Sequence, residues 1–85
     1  MMNSKVQIAV IDGGWVMVGT CEADAKTVTL TNAHVIRVWG TTKGLGEIAL
    51  NGPTKATVLD KIGVAFIERA QLRFLIACDD SKWKL

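Results

Sequence analysis

The segment KVQIAVI, residues 5–11, runs straight into Asp12-Gly13-Gly14 and then into WVMVGTC, residues 15–21. Two β-branched runs separated by a glycine pair read as a hairpin, because glycine supplies the positive φ that a tight turn between paired strands demands. An antiparallel pair at the very start commits the chain to a β architecture. After a polar turn at Glu22-Ala23-Asp24-Ala25, KTVTLTN sets Val28 and Leu30 against Thr27, Thr29 and Thr31 at period two, the pattern of a strand with one wet face. HVIRVWG, residues 34–40, continues the β character past a break at Asn32-Ala33, which reads equally as a bulge, a corner or a tight turn.

Beyond Gly40 the period changes. Thr41 or Thr42 can cap a helix, Glu47 falls in an early turn, and Leu45, Ile48 and Ala49 are spaced i, i+3, i+4 before Asn51-Gly52-Pro53 stops it. The expectation is a short helix over about residues 42–50. Residues 55–62 read as a loop with a brief extended piece at 56–59. GVAFIER and QLRFLIAC are then two further strands, and apolar residues on both of their faces assign them central positions in the sheet. Residues 79–85 read as a tail that Trp83 alone can dock.

The expected fold is therefore mainly β: a small antiparallel sheet or partly open barrel of five to six strands with one short inserted helix. All 85 residues form a single domain, with its core over about 5–78. A domain this short has few interior positions, yet it carries three Trp, two Phe and long Val/Ile/Leu runs. Part of that apolar surface is expected to meet another subunit, which makes the chain a homo-oligomer.

Ten basic and eight acidic residues are interspersed for a net charge of +2, without the one-sided basic excess of a nucleic-acid-binding domain. No apolar run approaches the length of a membrane span. Cys21 and Cys78 stand in no CxxC pattern and follow no signal-peptide pattern, so they read as buried thiols of a cytosolic protein. His34 is the only histidine, which rules out a His-based metal cluster and a two-histidine catalytic pair. The acidic residues are scattered over turns and strand ends. No catalytic residues, metal ligands or cofactors are expected, and the chain is read as a non-enzyme.

Residues 37–54 concentrate four of the eight glycines and the only proline. Lys43 precedes Gly44 instead of following a second glycine, so this is not a phosphate-binding P-loop, and Gly44-Leu45-Gly46 lacks the third glycine of a dinucleotide fingerprint. What the segment offers is a helix start flanked by Thr41, Thr42 and Lys43, beside a strand on which Arg37 and Trp39 share a face. Ile36 and Val38, on the opposite face, are the better core candidates. Arg37, Trp39, Thr41, Thr42 and Lys43 are thus the candidate ligand contacts, for an anionic and aromatic partner. Trp15 and Trp39 are the candidate interface residues.

The stretch from Asn32 to Gly52, with Asn32, Ala33, Ile36, Trp39, Leu45, Ala49 and Gly52 as its most specific positions, resembles a family of short proteins carried by tailed phages and prophages. The resemblance covers about residues 6–78. It implies a phage accessory protein acting in the host cytoplasm, and some such proteins are homo-oligomers that sequester nucleotide signals in evading host defence. The alternative is a protein-interaction module that inhibits a host protein or takes part in phage assembly. It implies no site residues.

Overall fold

A computed structural model describes residues 5–85; residues 1–4 of the expected single domain lie outside the described ones. In chain order the elements are β1 (Lys5–Ile11), β2 (Trp15–Ala23), β3 (Thr27–Val38), helix α1 (Leu45–Asn51), β4 (Val58–Glu68) and β5 (Leu72–Ala77). Single 3-10 turns follow β4 at Arg69–Gln71 and β5 at Asp80–Lys82. The mainly β expectation holds. All five strands pair antiparallel in one sheet, in the order β4-β3-β2-β1-β5.

That order forces curvature. The two edge strands, β4 and β5, are consecutive in the chain and joined only through Arg69–Gln71, a link that spans at most about 14 Å. A flat five-stranded sheet would hold its edges about 19 Å apart. The sheet therefore rolls up, yet β4 and β5 do not pair, and the barrel stays open along one seam.

Rolling creates an inside, filled by Ala9, Ile11, Cys21, Val28, Leu30 and Ile67, with Leu72 and Leu75 of β5 against them. The outer face of β1 and β2 is covered too. Val6, Ile8, Val16 and Val18 pack under Ile48 and Ala49 of α1 and under Trp83 from the tail. β1 and β2 are thus buried on both faces, which is why their sequences are nearly continuous apolar runs.

The tail is tied down as the tryptophan suggested. Trp83 Nε1 donates to the Ala49 carbonyl at 3.2 Å, and the Asp80 carboxylate accepts from the Val6 amide at 3.1 Å. Asp79 caps the intervening turn by accepting from the Ser81 amide and hydroxyl.

Four expectations need correction. GVAFIER and QLRFLIAC, assigned to the sheet centre, are β4 and β5 at its two edges. On β4 the second apolar face, with Val64 and Phe66, is exposed, whereas on β5 Ile76 packs against the outer core. The helix begins at Leu45, because Gly44 at φ +84° turns the chain immediately before it. Val38 is exposed, since a register shift between Ile36 and Val38 carries the end of β3 off the core. β4 starts at Val58, inside the expected loop. The break at Asn32 resolves as a bulge within one twelve-residue strand, with Asn32 at φ 53°, a left-handed conformation that asparagine tolerates better than most residues.

Candidate interaction surface

The five candidate ligand contacts lie around one corner, where the end of β3 leads into α1. Arg37 projects from β3 and is held by Asp60 of β4, Nε to Oδ2 at 2.8 Å and Nη2 to Oδ1 at 3.2 Å. A bidentate pair of this kind neutralises the guanidinium and fixes its plane. Trp39 remains 41% exposed and lies against Gly44, where a methyl group would sit 3.7 Å from its ring. Thr41 donates to the Gly44 carbonyl at 2.9 Å, and Thr42 donates to the Glu47 carboxylate at 3.3 Å.

Glu47 decides the electrostatics at the helix start. Its Oε1 accepts from the Lys43 amide at 2.9 Å, so the chain's own carboxylate occupies the place where an anion would meet the backbone. With seven residues, α1 has only a weak dipole of its own. The structure brings Thr42, Lys43 and Glu47 together, leaves Arg37 with an acidic partner, and leaves the Lys43 ammonium without an ion pair among the described residues. Trp15, the other interface candidate, starts β2 and is 56% exposed.

No constellation for acid, base or nucleophilic chemistry gathers among the described residues. His34 Nδ1 is hydrogen-bonded to the Asn32 carbonyl of its own strand at 3.0 Å. Among the described residues no three His, Cys, Asp or Glu side chains lie close enough to hold a metal ion, and no polar or charged side chain is buried. Asp24 accepts from the Lys26 and Thr27 amides, which holds its carboxyl below the usual range and marks it as a turn cap. No described helix is long and apolar enough to cross a membrane.

Both cysteines are free thiols; Cys21 is buried inside the roll as expected, whereas Cys78, one residue past β5, is only partly buried against the outer core. Burial, aided by the nearby Asp80 carboxylate, pushes the Cys78 thiol up to about 12. The thiolate is the reactive form, so at pH 8 Cys78 is held almost wholly as the unreactive thiol. Thiol-reactive dye at pH 8 is expected to label Cys78 in urea and to leave it unmodified in native protein; rapid native labelling would show that the tail does not cover it. The folded state also keeps a proton that the unfolded chain, at its ordinary value near 9.0, releases. The stability this contributes is complete below pH 9 and is lost as pH rises from about 9 to about 12.

The surface that sequence patterning missed is on β4. Phe66 is 74% exposed and Val64 is 53% exposed, with Ile62 also solvent-facing and Phe74 on β5 52% exposed. Phe66 stands opposite Thr29, on the outer face, while Ala65 and Ile67 between and beyond point into the roll. At the open seam a cavity of about 280 Å³ is lined by Ile11, Met17, Phe66, Ile67, Glu68 and Gln71. The signal was present in the sequence as apolar residues on both faces of GVAFIER. Only the strand order reveals that one of those faces meets water.

No protein-family model matches the chain, and no curated protein or solved structure matches it significantly.

Proposed function

We propose that the protein is a non-enzymatic binding module that works by contact with another protein, through the outer face and open edge of β4. One observation carries this reading: Val64 and Phe66 present large apolar side chains to water on an edge strand. Burying a side chain of that size contributes about 1.5–3 kcal/mol, which the isolated chain forgoes and a partner recovers. The bidentate tie of Arg37 to Asp60 and the protonated Cys78 thiol fit a protein that performs no chemistry of its own. In the phage context implied by the resemblance, such a module inhibits a host protein or joins an assembly.

Capture from host lysate on immobilised protein tests the reading. Wild type is expected to retain a stoichiometric partner, either a host protein or its own untethered copies, that Phe66→Lys loses. Equal retention by both would reject β4 as the working surface.

A second reading, sequestration of an anionic nucleotide-type signal, is favoured by an exposed Trp39 ring at the corner that also carries Lys43, whose ammonium has no ion pair among the described residues. Glu47 at the same corner and the commitment of Arg37 to Asp60 weigh against it. Calorimetric titration with cyclic dinucleotides and ADP-ribose-type compounds separates the two. Micromolar binding lost in Lys43→Ala supports sequestration, and no heat with any compound removes it.

A further inference from the structure

The occupant that the open edges fit is a second copy of this chain. We propose that protomers join head to tail, the outer edge of β4 of one lying along the outer edge of β5 of the next. The proposal rests on the reading of β4 as the working surface and names its partner.

Both edges of the sheet are unpaired on their outer sides among the described residues, so each presents a row of backbone N–H and C=O groups. Proteins that stay monomeric guard such edges with lysine, proline, inward charge or a cover. Here residues 62–67 of β4 and residues 74–78 at β5 contain neither a charge nor a proline. The bulge at Gly63, φ +92°, protects only the start of the first window.

Register places the two exposed phenylalanines on one face of the sheet. Phe74 is opposite Val10, which shares its face with Val6; Val6 is opposite Thr20, which shares its face with Glu22. Glu22 is opposite Thr29, and Thr29 is opposite Phe66. When β4 of one protomer abuts β5 of the next in a continuous sheet, Phe74 therefore arrives on the side that carries Val64 and Phe66. Cross-strand aromatic and β-branched neighbours are the pairs that stabilise sheets.

A two-fold joint of β4 with β4 would leave every β5 edge and every Phe74 open. The head-to-tail joint uses both edges in one kind of contact, and it closes as a ring or continues as a filament. A standard contact takes about 800 Å² from each partner. Two such contacts need roughly a third of the 5383 Å² that the chain exposes, which leaves the rest free for other partners.

Light scattering on wild type, Phe66→Lys, Phe74→Lys and an equimolar mixture of the two variants tests the joint. Wild type is expected at three or more times 9.2 kDa, and each variant alone at 9.2 kDa. The mixture is expected at twice 9.2 kDa, because each variant supplies the edge that the other has lost. Formation of that heterodimer also proves both variants folded. Should either melt below wild type, Val64→Lys and Ala77→Lys, at exposed positions of the same edges, replace them. Wild type at 9.2 kDa overturns the proposal, as does Phe74→Lys keeping the wild-type mass, or a mixture of folded variants that stays monomeric. A monomeric wild type that still retains a host protein through Phe66 would leave the interaction reading standing without this joint.

Discussion

Trp83→Ala is expected to lower the unfolding free energy by about 3–5 kcal/mol and the melting temperature by about 20 °C. Trp83 is 4% exposed and packs on Val6, Ile8 and α1, so truncation opens a cavity that strands on one side and a helix on the other cannot readily fill. It also removes the indole hydrogen bond to Ala49. A chain of this length has a total stability of about 4–13 kcal/mol, so the loss is a large share of the whole. Urea titration followed by circular dichroism measures it. Because Trp15 and Trp39 are exposed, the variant's remaining tryptophan emission should be solvent-like before any denaturant is added. A melting point within about 5 °C of wild type, the effect of roughly 1 kcal/mol, would show that the tail is not part of the core.

Gly40→Ala is expected to cost about 2–5 kcal/mol, from left-handed strain and overpacking together. Gly40 has φ +71°, and a Cβ there would lie 2.5 Å from the Ala56 carbonyl carbon and the Thr57 amide nitrogen, which are backbone atoms with nowhere to rotate. The two segments are also laced together. Thr57 donates to the Trp39 carbonyl at 2.6 Å, and Thr54 donates to the Gly40 carbonyl at 2.8 Å, so pushing them apart breaks both bonds. Gly46→Ala, six residues on, is the matched control: nothing lies within 4 Å of its Cβ and it sits in α1. There the same substitution should stabilise by about 0.5–1 kcal/mol. Thermal melts of both variants check the opposite signs; a Gly40→Ala protein as stable as wild type would mean the corner gives way freely.

Local structure was legible where one element's own pattern determines it. β1 has the bounds that KVQIAVI implies, the turn falls on Asp12-Gly13-Gly14, and β2 follows at Trp15. Trp83, singled out as the residue able to dock the tail, does so. Long-range pairing was not legible. Asp60 is 23 residues from Arg37, and only the β3–β4 register brings them together. Period-two alternation also assumes an unbroken ladder, and the shift between Ile36 and Val38 undoes it there. The misplacement of β4 and β5 has the same root: apolar residues on both faces show that a strand has two apolar sides, whereas strand order decides what covers them. At the corner, patterning located Thr41, Thr42 and Lys43 at the helix start. It could not show that Glu47 turns back to fill that place.

The tail crosses from β5 to the first strand of the sheet and the helix, tying residue 80 to residue 6 and residue 83 to residue 49. These partners lie 74 and 34 positions apart in the chain. The outer face of the β1–β2 hairpin is covered by residues that follow it in the chain, Ile36, Ile48 and Ala49 first and Trp83 last. The outer core therefore cannot close until residues 80–83 join it, and its last packing step waits on contacts that span up to 74 positions of the chain.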